Sequence, residues 1–152
     1  VSARHLKDLL TYRINWLANL SSNIASRQNA REFNLGPRDW RVIGLLAEFA
    51  PLSLQSLAKE VDVDKSQASR LVASLIERGW VQRNTSEEDA RGVELSLTAE
   101  GQKTYALVFP QAVRRNELLM SSLSAHERQV LFRCLDKLTL KAKEMWEQDK
   151  TL

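Results

Sequence analysis

Between residues 54 and 97 the apolar positions change their period, and the change marks out the architecture. Leu54, Leu57, Ala58 and Val61 recur at helical spacing, one stripe of a short amphipathic helix for which Ser53 is the N-cap. Asp62, Val63 and Asp64 form a three-residue gap. Ala68, Leu71, Val72, Leu75 and Ile76 then repeat the helical spacing, turning Lys65, Ser66, Gln67, Ser69, Arg70, Ala73 and Ser74 outward. Asp64 is placed to cap this second helix, with Gln67 three residues on to return a bond to the cap, and Gly79 supplies a left-handed stop. Beyond it the period becomes two. Trp80, Val81 and Arg83 read as one strand, and Val93, Leu95 and Leu97, alternating with Glu94 and Ser96, read as another. The polar segment Asn84 to Gly92 between them is too long for a two-residue hairpin and suits a wing. The predicted fold class is mainly α with a small β-hairpin wing: a winged helix-turn-helix domain flanked by helices.

Those flanks carry heptad-like seams. Leu6, Leu10, Arg13, Leu17, Leu20 and Ile24 run along one long first helix, and Leu131, Leu135, Leu138, Ala142 and Met145 along the last, which Ser124 and Glu127 open as a capping box. A further helix from Thr98 is expected to kink or break near Phe109, ahead of Pro110. The seams could pack within one chain or between two copies.

In this order, Leu57-Ala58, the Ser/Gln/Ser/Arg helix, Leu75-Ile76-Glu77-Arg78-Gly79, Asp89-Ala90-Arg91-Gly92 and Leu97-Thr98-Ala99-Glu100-Gly101 resemble the MarR family of bacterial regulators, over nearly the whole chain. The resemblance implies a homodimer on double-stranded DNA, an inverted-repeat operator, the helix from Lys65 to Arg78 in the major groove and Arg91 in the adjacent minor groove. It divides residues 1–152 into dimerisation helices at 1–36 and 99–152 and a DNA-binding lobe at 37–98. Family members often hold a phenolic or aromatic-acid effector between the two, which draws attention to Tyr12, Arg13, Trp16, Trp40 and Arg41.

The chemistry of the residues agrees. Gln67 and Arg70 have the donors and acceptors to read base edges, Ser66 and Ser69 can serve bases or phosphates, and Lys65 is a phosphate support. A wing arginine suits a narrow, electronegative minor groove, and Asp89 is placed to orient Arg91 or nearby backbone. Arg13 falls at an apolar phase of the first helix, where a guanidinium needs a carboxylate from the protein or a ligand. Trp16 and Trp40 are otherwise expected in the core.

Composition narrows the function classes. The chain has 152 residues, 43% of them apolar, and a net charge of +3. That is one domain with extensions, no apolar run of membrane length, no export leader, and a cytoplasmic home. The reading head is not basic: Lys59, Lys65, Arg70, Arg78, Arg83 and Arg91 are outnumbered by Glu60, Asp62, Asp64, Glu77, Glu87, Glu88 and Asp89. The basic excess lies before Val42, where Arg4, Lys7, Arg13, Arg27, Arg31, Arg38 and Arg41 outnumber Asp8, Glu32 and Asp39, and some of these cations are expected to reach phosphates beside the major groove. The lone cysteine, Cys134, sits among Val130, Leu131, Leu135 and Leu138 and is expected to be buried and inert, which argues against a redox switch. Two histidines far apart, His5 and His126, make no metal cluster, no cofactor is expected, and no nucleophile or phosphate-loop motif points to an enzyme.

The expectation is a sequence-specific transcription regulator, more a repressor than an activator, released by a small organic effector. Two other classes use the same elements: an architectural DNA binder without base readout, and a protein-interaction module using the wing.

Overall fold

A computed structural model describes residues 4–85 and 93–150. After a 3-10 turn at Leu6–Asp8 come α1 (Leu10–Phe33), α2 (Pro37–Phe49), β1 (Leu52–Ser53), α3 (Leu54–Val61), α4 (Lys65–Glu77), β2 (Val81–Thr85), β3 (Val93–Leu97), α5 (Ala99–Met120) and α6 (Ala125–Asp149). The chain divides into two compact units, residues 1–112 and 113–152.

The first unit contains the helix-turn-helix and its sheet. Its core is built from the stripes read above. Leu57 and Val61 of α3, Val72 and Leu75 of α4, Val81 of β2, and Leu95 and Leu97 of β3 meet Leu35, Val42, Ile43 and Leu46 from the α2 region and Val108 from α5. β3 lies at the centre of a three-stranded antiparallel sheet ordered β1-β3-β2, pairing Leu52 with Leu95 on one side and Val81 with Leu97 on the other. The two-residue strand β1 has no alternation to read and is recognisable only by its pairing. β2 extends through Asn84 and Thr85, two residues taken above as turn, because Asn84 pairs with Glu94 and its Nδ2 donates to Ser96 Oγ at 2.7 Å. Val93 is 53% exposed, so the inward face of β3 begins at Leu95.

The junctions carry the expected chemistry. Ser53 Oγ accepts from Ser56 N at 3.1 Å, and Asp64 Oδ1 from Gln67 N at 2.7 Å. The Gln67 side chain does not complete a capping box at Asp64. Gly79, at φ 73°, lets its own amide reach Ile76 O at 2.9 Å and that of Trp80 reach Leu75 O at 3.0 Å, the paired bonds of a Schellman stop. Thr98 then ties the end of β3 to that stop. Its amide donates to Trp80 O, its hydroxyl donates to Gly79 O, and the same oxygen accepts from Gly101 N at 3.0 Å as the N-cap of α5. A Cβ on Gly101 would lie 2.1 Å from Trp80 O, so this helix start needs glycine for close approach.

Two expectations about the helices are corrected in this unit. The first seam is interrupted: Asp8 Oδ2 accepts from the amides of Arg4 and His5 at 3.1 and 3.0 Å, which closes a separate turn around Leu6, and Leu9 is extended before α1 begins. Pro110 does not end α5, which continues to Met120. Proline removes one helical bond, and the carbonyl it leaves free belongs to Ala106, an exposed residue, so the lost bond does not bury an unpaired acceptor.

In the second unit, Ser124 and Glu127 form the predicted capping box, with Ser124 N donating to Glu127 Oε2 at 2.8 Å and Glu127 N to Ser124 Oγ at 3.3 Å. Ser124 Oγ also donates to Glu127 Oε2 at 2.7 Å, and that bond, followed by the one from the Ser124 amide, lowers the Glu127 carboxyl below its ordinary 4.5. α6 has no buried residue. Cys134 is therefore exposed, contrary to expectation, because the apolar stripe around it is uncovered in the single chain. No described helix is long and apolar enough to cross a membrane.

Candidate functional site

α4 presents two chemically distinct faces. Ala68, Val72 and Leu75 are buried, while Lys65, Ser66, Gln67, Arg70 and Ser74 are exposed. Ser69 and Ala73 are half-buried, less outward than the pattern implied, because they flank the inward stripe. Among the described residues no ion pair or side-chain hydrogen bond occupies Lys65, Ser66, Gln67, Ser69 or Arg70. A row of unsatisfied donors on a rigid, capped helix is available to an external partner. Arg91 and Asp89 fall outside the described residues.

The far end of α4 is anchored by a residue to which the pattern assigned no role. Arg78 Nη1 pairs with Asp39 Oδ2 at 3.0 Å, its Nη2 donates to Asn34 O, and its guanidinium stacks 3.7 Å above the Trp80 ring. Asp39 Oδ2 also accepts from Gly36 N at 3.1 Å, closing the first turn of α2. Asn34 ends α1 in the left-handed region, at φ 51°. One guanidinium thus ties the end of α4 to the α1–α2 junction, a charge-assisted, planar contact that lysine would not reproduce. The sequence signal was only an arginine at a helix end.

Among the described residues of this first unit, two concavities bear on the expected sites. A surface groove of about 460 Å³ is lined by Arg38, Val63, Gln67, Arg70 and Leu71, bringing an α2 cation beside two of the expected reading residues. A second, of about 400 Å³, lies between α2 and α5, lined by Trp40, Arg41, Gly44, Leu45, Glu48, Phe49, Tyr105 and Phe109. Its aromatic wall is continuous. Trp40 and Tyr105 stack with centroids 5.7 Å apart, and Tyr105 and Phe109 at 5.1 Å. Tyr105 Oη donates to Glu48 Oε1 at 2.7 Å, and burial, followed by that bond and the Glu48 charge, pushes its phenol up to about 12. The phenol is therefore a fixed neutral donor at neutral pH. Arg41 holds no ion pair among the described residues, and a guanidinium beside an aromatic wall suits an aromatic carboxylate.

Of the five residues expected around an effector, only Trp40 and Arg41 line this pocket. Tyr12 is half-buried elsewhere on α1. Trp16 is 66% exposed, neither pocket wall nor core. Arg13 finds no carboxylate, its Nε donating instead to the Lys7 carbonyl at 2.8 Å, because the turn at Leu6–Asp8 folds back towards it. Glu48, Tyr105 and Phe109 were missed. Their only sequence signal was position on the expected helices, and the α2–α5 packing brings them together.

Comparison with known proteins accords with this geometry. The sequence model of the MarR family matches residues 33–92, from the end of α1 to the residue before β3. The regulator BilQ of Clostridium symbiosum is 35% identical over 86 residues, 57% of this chain and 60% of BilQ, so the match spans less than two thirds of that relative. The crystal structure of a MarR/EmrR family transcriptional regulator from Acinetobacter sp. ADP1 superposes with a TM-score of 0.82 at 29% identity, covering 92% of this chain and 99% of that one. NadR, solved in complex with 4-hydroxyphenylacetate, superposes with a TM-score of 0.76 at 25% identity, over 91% and 96% of the two chains. A helix-turn-helix with an unpaired polar face on its second helix, a three-stranded wing sheet and these likenesses together make the chain a member of the MarR family of winged helix-turn-helix transcriptional regulators.

Proposed function

We propose that the protein is a homodimeric, sequence-specific transcription repressor whose DNA affinity falls when a small aromatic acid occupies the pocket between α2 and α5. The observation that carries the reading is the unpaired polar face of α4, flanked by α2, a helix that lines both the DNA-side groove and the aromatic pocket. Ser66, Gln67, Ser69 and Arg70 read or clamp the major groove, Lys65 supports a phosphate, and Arg91, oriented by Asp89, reads the minor groove.

The dimer is assigned to residues 1–36 and 99–152. Its support is the exposed apolar seam of α1, with Leu10, Leu17, Leu20 and Ile24 each at least 49% exposed, and the matching one of α6, with Leu131, Leu138 and Met145 uncovered. Contiguous apolar stripes of that kind are interaction surfaces, and a twofold dimer matches symmetric half-sites.

In the pocket, Arg41 takes the carboxylate, Trp40, Tyr105 and Phe109 the ring, and the Tyr105 hydroxyl stays neutral. NadR with its bound phenolic acid supports this ligand class. The effector acts by preferring the arrangement in which the two reading helices no longer match successive major grooves.

The test is selection from a random duplex library at about 0.15 M salt, where non-specific binding is weak. The expected product is an inverted repeat with half-sites about one helical turn apart. Arg70→Ala and Arg91→Ala are expected to weaken binding to it with the dimer intact, and Arg41→Ala to remove release by 4-hydroxyphenylacetate without weakening DNA binding. Binding without a recovered motif would replace the repressor reading with an architectural one, and no binding would point to a protein partner.

A further inference from the structure

We propose that Arg38 grips a phosphodiester of the DNA backbone at the edge of the groove entered by α4, a contact made from α2. The proposal rests on the reading role given to α4. Arg38 is exposed and borders the same groove as Gln67 and Arg70, over a floor of Val63 and Leu71. Two guanidinium groups therefore flank one concavity, and neither Arg38 nor Arg70 has an ion pair or hydrogen bond among the described residues.

The fold makes no use of the charge on Arg38. It is the second residue of α2, in the first turn, where the helix dipole disfavours a cation. The neighbouring carboxylate that could neutralise it is already taken: Asp39 Oδ2 accepts from Gly36 N and pairs with Arg78. A cation set against the dipole, exposed and without a partner contributes no stability of its own, whereas an anion arriving there would gain from both the guanidinium and the positive helix end.

On duplex DNA that anion is a backbone phosphate. Base edges are met by the first residues of the reading helix itself, of which Gln67 is one, while a residue from a flanking helix meets the strand beside it. The position also answers the charge deficit of the reading head, since Arg38 lies outside the 59–91 span in which acids outnumber bases.

The test titrates the selected duplex and an unrelated duplex with wild type, Arg38→Ala, Arg38→Lys and Arg70→Ala, over about 50 to 200 mM salt, by fluorescence anisotropy. Arg38→Ala is expected to weaken both duplexes by the same several-fold factor, and to flatten the log–log salt slope by about 0.9, one phosphate's worth. Arg38→Lys should keep the slope. Arg70→Ala should weaken the selected duplex more than the unrelated one. A wild-type slope and affinity in Arg38→Ala would overturn the proposal, as would a loss confined to the selected duplex, which would make Arg38 a base reader. If Arg70→Ala is neutral while Arg38→Ala flattens the slope, the base-reading role of Arg70 fails and the phosphate contact stands. If wild type binds neither duplex, both fall.

Discussion

The helix-turn-helix core and helix α6 show two uses of the same apolar residue types. In the core, Leu35, Ile43, Leu46, Leu57, Leu75 and Leu95 are each at most 2% exposed, their stripes closed by α2, the sheet and α5. In α6 the seam of Leu131, Leu135, Leu138 and Met145 is as regular, yet each of these residues is at least 36% exposed. Burial of apolar area stabilises at about 25 cal/mol per Å² only where water is removed, so the core stripes stabilise the chain alone while that of α6 awaits a second surface. Periodicity reports that a face is apolar. It does not report what covers it.

This contrast is sharpest under substitution. Leu75→Ala, in the sealed core, is expected to lower unfolding stability by about 2–5 kcal/mol, and denaturant titration should return the same loss at every protein concentration. An unchanged midpoint would mean that the core repacks around the gap. Leu138→Asp, on α6, should leave the core fold intact by circular dichroism but shift the protein to monomer in sedimentation velocity, with any stability loss growing on dilution. A concentration-independent collapse would show that α6 supports its own chain instead.

Smaller effects come from the helix ends. Asp64→Ala, which removes the cap of α4, is expected to cost about 1 kcal/mol of stability and to weaken DNA binding, since Lys65, Ser66 and Gln67, proposed to meet DNA, occupy the turn that the cap holds. The least effect belongs to Glu127. Its carboxyl is held below 4.5 by Ser124, so the cap's contribution is present above that pH and is lost as pH falls through the lowered value. Wild type should therefore lose helicity at the start of α6 on acidification, and Glu127→Gln should abolish that step. A pH profile identical in the two proteins would remove the cap from the account.

Much of the architecture was legible in the chain. α3 and α4, with the gap at Asp62 to Asp64, follow from periodicity and capping residues because those signals are local. The same holds for the start of α6. Elements defined by distant partners were not legible. The β1 pairing with β3, the extension of β2 to Thr85 and the continuation of α5 through Pro110 depend on neighbours or on solvent exposure. In the candidate site, the outward list on α4 stands apart from Ser69 and Ala73, whereas the pocket kept only Trp40 and Arg41 of the residues first considered. Residues far apart in sequence, such as Glu48 and Tyr105, become partners only once helices pack.

By itself the sequence determined the helix-turn-helix and the two strands that follow it, which faces are apolar, where the helix caps fall and which family motif the chain carries, because all of these are properties of neighbours a few residues apart. Tertiary structure alone decided that Arg38 joins Gln67 and Arg70, that Arg78 binds Asp39, that Tyr105 stacks on Trp40, and that Cys134 is exposed. Those outcomes depend on contacts across dozens of residues, set by how helices pack and which surfaces they leave open.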